Sequence, residues 1–352
     1  KNKKNVKIYN SKKINTLAPY SLVKTMRAGI LCLGGLISKY KKATVSYPGG
    51  CNLGSRPINF HLNALKKMKM KYLIKKGYVY AKVNKNLEGN KIKFKKISVG
   101  ASENLIIAAT LAKGITYLKN CAIEPEVKDL VNFLKSAGAN LKWIGKRTLK
   151  IIGVKKLKST SYSVMGDRIE TGTWCVLATL TSGKLVINGF NPTLIKTELD
   201  VLRKIGANIK FKNNQIQIQG KNKLKNINLI TKEYPSFPTD MQAQFCVLLS
   251  QADGRSIITE NIFEKRFSHI DELRRLGAKI TVKGNKAIIE GNTKFEGAEL
   301  TSSDLRASVA LVLAAVVSNG KSIVHRVYML DRGMEKFEHK LRSVGVDVKR
   351  VS

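Results

Sequence analysis

The stretch YPGGCNLGSRPINFH, residues 47–61, puts a cysteine directly after two glycines and five residues ahead of an Arg-Pro pair. A cysteine serving as a core hydrophobe sits inside an apolar run, as Cys246 does in QFCVLL, because free cysteine is among the most buried residue types. Cys51 has no such run around it, which leaves its thiol to be explained by chemistry. The arginines carry a second signal. Of 64 basic residues only 14 are Arg and 50 are Lys. If lysine serves wherever charge alone is wanted, each arginine is a candidate for a place that needs a planar, bidentate guanidinium. Third, polar residues open the apolar runs: Arg27 in KTMRAG, Glu103 in ASEN, Glu170 in DRIETG, Asp240 in FPTDMQAQ and Asp304 in SSDLRAS. Acids after Ser or Thr at a helix start cap it, worth about 0.5–2 kcal/mol, and capping suffices for Glu103. Arg27 is different, because a cation at a helix N-terminus is unfavourable unless an anion sits there too.

The elements that must position these residues form a repeat. LKSAGANL, LRKIGANI, LRRLGAKI and LRSVGVDV carry glycines at 138, 206, 277 and 345. LKKMKMKY is an eroded earlier copy with Lys69 in the glycine slot. A fixed period decides architecture before any local assignment. Each unit begins with a helix that is apolar nearly all round, as in DMQAQFCVLLSQADG, and so is buried on every side. A short strand follows, then an amphipathic helix ending in L-x-x-x-G, then a hairpin such as NIKFKNNQIQIQG whose alternation leaves one wet face. Helices inside and sheets outside are therefore expected: an α/β, inverted (inside-out) barrel in two domains, built from six βαβαββ-type repeats. The opening KNKKNVKIYN reads as the closing hairpin of a first, incomplete unit. The domains are expected at 1–165 and 166–352. At this period the first unit lacks its opening helix pair, and a full set would be roughly sixty residues longer.

Composition bounds the rest. The chain has 352 residues, 43% hydrophobic and 25% charged, enough for about two domains. Five cysteines without CxxC pairing or histidines at ligand spacing indicate neither a disulfide framework nor a zinc site, and a reducing cytoplasm fits. The apolar runs 28–37 and 309–317 fall short of the roughly 20 residues of a membrane span. The net charge of +40 invites a nucleic-acid partner, but the lysines are spread without long blocks or interleaved aromatics, so they are read as solvated faces and no nucleic acid is expected.

With residues 24–61 in view, the chain resembles the UDP-N-acetylglucosamine enolpyruvyl transferase family, whose reaction opens peptidoglycan synthesis. The carriers are LVKTMRAGI, PGGCNLGSRPINFH, ISVGASEN, EPEVKDLVNFL, DRIETGTW, YPSFPTDMQAQF, ENIFEKRF, DLRAS and DRGMEKFEHKLR, in order along the chain. The family's fold is the two-domain, six-repeat inverted barrel. The resemblance implies transfer of the enolpyruvyl group of phosphoenolpyruvate to the 3′-hydroxyl of UDP-N-acetylglucosamine with release of phosphate, no cofactor, and a monomer. A three-carbon donor bearing phosphate and carboxylate needs converging guanidinium forks, and Arg27, Arg56 and Arg332 lie at the matching positions. The reaction protonates C3 of phosphoenolpyruvate and removes the hydroxyl proton. By resemblance Cys51 is the donor, on a loop hinged at Gly49 and Gly50, and is what fosfomycin alkylates; its pKa would fall beside Arg56. Asp240 matches the residue facing the 3′-hydroxyl, and Arg332 completes the catalytic set. Nucleotide-sugar contacts are implied for Arg56, Pro57, Ile58, Asn59 and Phe60, for Lys96, Ile97, Ser98 and Val99 with a diphosphate seat at a helix head, and for Ile262. Asp167, Arg168, Asp304 and Arg306 are expected to couple the two domains. His61, His269, His325 and His339 carry no metal pattern and are read as core or surface residues.

The chain departs from the family at Asn59, where Asp is usual, at Ile123 before Glu124-Pro125, where Arg is usual, and at Met329, where His is usual. Asn59 keeps the size and still accepts a hydrogen bond but lacks the charge. The family's Lys-Asn pair at the head of the first repeat has no counterpart here, and activity is expected to need it. Two rivals stay open: the sister enzyme that takes shikimate 3-phosphate, against which PGGCNLG and FPTDMQAQ argue, and a non-catalytic basic protein.

Overall fold

The computed structural model describes residues 5–9, 14–24, 26–48 and 58–351. These divide into two compact units, one of residues up to Val164 and one from Met165 onward, each with its own apolar core. The first unit runs β1 (Leu17–Ala18), α1 (Tyr20–Val23), a 3-10 turn (Arg27–Leu31), α2 (Cys32–Tyr40), β2 (Lys42–Ser46), α3 (Asn59–Lys67), β3 (Lys71–Lys75) and β4 (Tyr78–Lys82). It continues through β5 (Lys91–Lys93), α4 (Val99–Ala109), β6 (Ile115–Lys119), α5 (Pro125–Ser136), β7 (Asn140–Gly145) and β8 (Thr148–Ile152). Two sheets result, in the orders β1-β2-β4-β3 and β5-β6-β8-β7. In both, a short strand joins in parallel and a hairpin completes the edge in antiparallel register.

The second unit runs α6 (Arg168–Leu180), β9 (Lys184–Asn188), a 3-10 turn (Pro192–Ile195), α7 (Lys196–Ile205), β10 (Asn208–Lys212), β11 (Gln215–Gln219), β12 (Leu229–Ile230), a 3-10 turn (Thr239–Met241) and α8 (Gln242–Ser250). After these come β13 (Arg255–Thr259), α9 (Ile270–Arg275), β14 (Lys279–Lys283), β15 (Lys286–Glu290), β16 (Glu299–Thr301), α10 (Leu305–Val316), β17 (Ile323–His325), a 3-10 turn (Val327–Arg332) and α11 (Phe337–Ser343). Its sheets are β10-β11-β9, β12-β13-β15-β14 and the parallel pair β16-β17.

Burial follows the pattern of apolar residues. Every residue of α8 is buried, as are Ala307 to Leu311 of α10, which is what an all-round apolar helix requires. In β11, Ile216 and Ile218 point inward while Gln217 is exposed, the period-2 signature of a half-wet sheet. The L-x-x-x-G signal marks helix ends: Gly138, Gly206, Gly277 and Gly345 all have positive φ, from 88° to 128°, where the chain leaves each helix through a left-handed residue. Lys69 occupies the same slot with φ 73°, so the eroded copy keeps the geometry without the glycine.

Of the stretch KNKKNVKIYN, where a closing hairpin was expected, residues 5–9 carry no strand and are exposed, and the rest lies outside the described residues. A strand exists only through a partner's backbone, and among the described residues none pairs with this segment. No helix among the described residues is long and apolar enough to cross a membrane.

Candidate active site

In the second unit a group of charges is built at the head of α8. The turn Thr239–Met241 brings Asp240 out ahead of that buried helix, and both carboxylate oxygens are taken up. Oδ1 accepts from Arg266 Nη2 at 2.6 Å and Oδ2 from Arg306 Nη2 at 2.9 Å. The Asp240 side chain is 40% exposed and that of Arg266 3%. Burial works to raise the carboxyl pKa, but the charges of Arg306 and Arg266, the hydrogen bond from Arg306 and the more remote Arg168 outweigh it and hold Asp240 well below the usual carboxylate range. The carboxylate is thus ionised, fixed in orientation and weakly basic, with a lone pair left on each oxygen for a further donor.

Around it the local sequence explains itself. Arg306 is the second residue of α10, a position unfavourable to a cation and offset here by Asp240. Asp304 caps α10, accepting from the amides of Arg306 at 2.8 Å and Ala307 at 3.1 Å, while its other oxygen accepts from Ser268 and Ser303. Asp167 does the same for α6, accepting from Ile169 at 2.7 Å and Glu170 at 3.0 Å. Arg168 is buried, 3.7 Å from Glu198 and over the ring of Tyr234. The expected domain-coupling residues therefore spend these hydrogen bonds inside the second unit, because an acid before a helix finds the unpaired amides of its first turn nearest. Arg332 ends its 3-10 turn and is exposed. A β-carbon on its neighbour Gly333 would meet Leu305 at 3.0 Å, so Arg332 and Arg306 flank the same helix start. Ile262 is half-buried, and its amide donates to Glu260 Oε1 at 2.8 Å.

In the first unit Arg27 opens its 3-10 turn, half-buried. Cys51, Arg56 and Pro57 lie outside the described residues. Ile58 is in the core, Phe60 packs against it, and exposed Asn59 begins α3, so Ile58 could meet a ligand only through its backbone. Lys96 is exposed, Ile97 packs on the core, and Ser98 caps α4 by accepting from Ala101 at 3.3 Å. The first backbone bond of α4 runs from Ser102 to Ser98, which leaves the amides of Val99 and Gly100 without an intrahelical acceptor, as an anion seat requires. Glu103 is not the cap it was expected to be. It lies a full turn into α4, where burial first, then the charges of Glu126 and Glu124, push its carboxyl up to about 7.

Two groups escaped the sequence reading. Arg266 met the criterion applied to every arginine and sits inside ENIFEKRF, yet its pairing with a residue 26 positions earlier carries no local signal. Buried Asn104 accepts from the amide of Gly34 at 2.7 Å and donates to Ile30 C=O at 3.1 Å and to His61 Nδ1 at 2.9 Å. Burial, then Arg27, lower the His61 pKa to about 4, so the ring is neutral, and the Asn104 amide makes Nδ1 the acceptor and leaves the proton on Nε2.

A family model described as EPSP synthase (3-phosphoshikimate 1-carboxyvinyltransferase) matches residues 1–341. The UDP-N-acetylglucosamine 1-carboxyvinyltransferase of Pelagibacter ubique (strain HTCC1062) is 58% identical over 351 residues, covering 100% of this chain and 84% of the relative. The protein of the same name from Koribacter versatilis (strain Ellin345) is 45% identical over 338 residues, 96% of this chain and 78% of the relative. Among solved structures, the enolpyruvyl transferase NikO from Streptomyces tendae superposes with a TM-score of 0.86 at 23% identity, over 95% of this chain and 80% of the other. An EPSP synthase from Acinetobacter baumannii gives 0.70 at 20% identity, over 92% and 78%. At these identities the two structures speak to the fold alone.

Proposed function

The chain belongs to the EPSP synthase family, within it to the UDP-N-acetylglucosamine 1-carboxyvinyltransferases, and on that premise we propose how its residues carry the transfer of the enolpyruvyl group from phosphoenolpyruvate to the 3′-hydroxyl of UDP-N-acetylglucosamine with release of phosphate. The observation that carries this reading is identity of 58% sustained over the whole chain. Asp240 accepts the hydrogen bond of the sugar hydroxyl on a lone pair left by its two arginines. Flanked by two cations, it is too weak a base to remove that proton in advance, so the proton leaves only as the oxygen attacks C2. Cys51 delivers a proton to C3 as the oxygen adds to C2, and C3 gives up a proton again as phosphate departs from C2, which re-forms the double bond of the enolpyruvyl group. Arg27, Arg56 and Arg332 grip the phosphate and carboxylate of the donor. The exposed Lys96 and the amides of Val99 and Gly100 seat the diphosphate, with Asn59 and Ile262 beside the nucleotide.

The same reading extends to architecture: within each unit, helices buried on all sides and sheets with one wet face support an inside-out barrel of repeated βαβαββ units, divided at 165/166. The protein works as a monomer in the cytoplasm, without a nucleic-acid partner. The test is direct. Purified full-length protein is expected to release phosphate from phosphoenolpyruvate only when UDP-N-acetylglucosamine is present, and shikimate 3-phosphate is expected not to replace it; turnover with shikimate 3-phosphate would move the chain to the sister reaction. Fosfomycin is expected to add its mass at Cys51. An unmodified Cys51 at full activity in excess drug rules out the thiol's role.

A further inference from the structure

The Asp240 carboxylate is held by more than its two arginines. Glu260, itself buried, accepts from Thr239 Oγ1 at 2.9 Å through one oxygen, and from the amides of Ile262 at 2.8 Å and Phe263 at 3.1 Å through the other. Six residues on, Arg266 returns to the same turn: its Nη2 donates to Thr239 C=O at 3.3 Å and to Asp240 Oδ1 at 2.6 Å. Its guanidinium lies 5.5 Å from the Phe263 ring, and its Nε has no acceptor among the described residues. A buried cation that is only partly satisfied is costly, and the acceptors that offset this one are both on the turn Thr239–Met241.

We propose that Glu260 and Arg266 are positioning residues for the transfer: together they clamp the segment carrying Ile262 onto the turn Thr239–Met241, fixing the Asp240 carboxylate in place and tying it to the nucleotide contact. The inference rests on the reading of Asp240 as acceptor of the sugar hydroxyl. Arg266 suits the task because the two N–H bonds of its Nη2, held in the plane of the guanidinium, reach a carbonyl and a carboxylate at once, whereas the ammonium of a lysine rotates freely on a flexible stem. The other charges facing Asp240 are Arg306, from the head of α10, and Arg168, from the head of α6. Neither bonds Thr239 in the described structure. Arg266 is therefore what orients the turn as well as the carboxylate, and a shift of about 1 Å in a reacting group costs on the order of 10²-fold in rate.

The experiment uses the full-length protein and the variants Arg266→Met, Arg266→Lys and Glu260→Gln. For Arg266→Met, kcat/KM for UDP-N-acetylglucosamine is expected to fall about 10²-fold, and an acid limb absent from the parent's pH profile to appear as pH falls from 7 to 5. In ¹³C-carboxyl NMR without substrate, the Asp240 resonance, assigned by its loss in Asp240→Asn, is expected to titrate at higher pH than in the parent. Arg266→Lys should return the titration toward the parent's while kcat stays depressed. Glu260→Gln should raise KM for the sugar nucleotide and leave the Asp240 titration unmoved. A folded Arg266→Met variant with the parent's pH profile and carboxyl titration overturns the proposal. So does an Arg266→Lys variant with the parent's kcat/KM, which decides the matter if the Met variant does not fold. If the parent shows no transfer to the sugar nucleotide, the functional reading falls, while the substrate-free titration still judges the clamp.

Discussion

Two carboxyl groups respond to their surroundings in opposite directions. Asp240 is lowered by arginines, so its favourable ionised contacts persist above the ordinary aspartate range and are lost only in strong acid. Glu103 is raised, by burial and then by Glu126 and Glu124, from 4.5 to about 7. A carboxyl whose folded pKa exceeds its unfolded one contributes its stability fully below the unfolded value and loses it as pH rises through the folded value. Glu103→Gln is therefore expected to be more stable than the parent at pH 8, by roughly 2–3 kcal/mol from a shift of this size, with the difference closing toward pH 4.5. Urea unfolding of both proteins at the two pH values measures this; an unchanged gap between pH 8 and 4.5 contradicts it.

At one point of the contact between α2 and α4 a single polar side chain holds the packing together. Asn104 serves a helix-start amide, a carbonyl and a ring nitrogen, and a β-carbon at Gly34 would lie 2.3 Å from its Oδ1, so the two helices meet with only a hydrogen at that point. Asn104→Leu keeps the branched outline with some added bulk but strands three buried polar groups at about 1–3 kcal/mol each; a loss of roughly 3 kcal/mol or more in chemical denaturation is expected. The ends of the amphipathic helices give the reverse prediction. Lys69 holds φ 73° where the equivalent turns use glycine, and a left-handed non-glycine residue costs about 1–2 kcal/mol, partly offset by the chain entropy that glycine adds. Lys69→Gly is expected to stabilise the first unit by about 0.5–1 kcal/mol, read as a raised urea midpoint at unchanged slope; a lowered midpoint would show that the lysine side chain contributes more than its strain costs.

The excess of basic charge is spread over the chain, part of it on lysines along wet strand faces, such as Lys71, Lys75 and Lys82 of β3 and β4, all exposed. A net charge of +40 repels itself, and raising ionic strength from about 0.01 M to 0.15 M shortens the screening length from roughly 30 Å to 8 Å. The unfolding temperature is expected to rise over that range, whereas a nucleic-acid binder would instead show its largest salt effect in retention on DNA or RNA. Much of this protein could be read without coordinates because the signals are local. Apolarity on all sides marks α8, alternation marks β11, and the recurring glycine slot marks helix ends, since each is set by backbone sterics and by side chains a few positions apart. Arg27 stood out for the same reason: a cation at the head of an apolar run is placed against the needs of its own helix and signals a partner. Which partner was not legible. Asp240 meets Arg306 across 66 positions, Asn104 meets Gly34 across 70, and Glu103 acquires its raised pKa from burial and then from the acids Glu126 and Glu124 of another element. Pairwise distance and burial arise only when separate elements pack, so the basicity of each carboxyl and the identity of Arg266 as Asp240's neighbour belong to the folded arrangement.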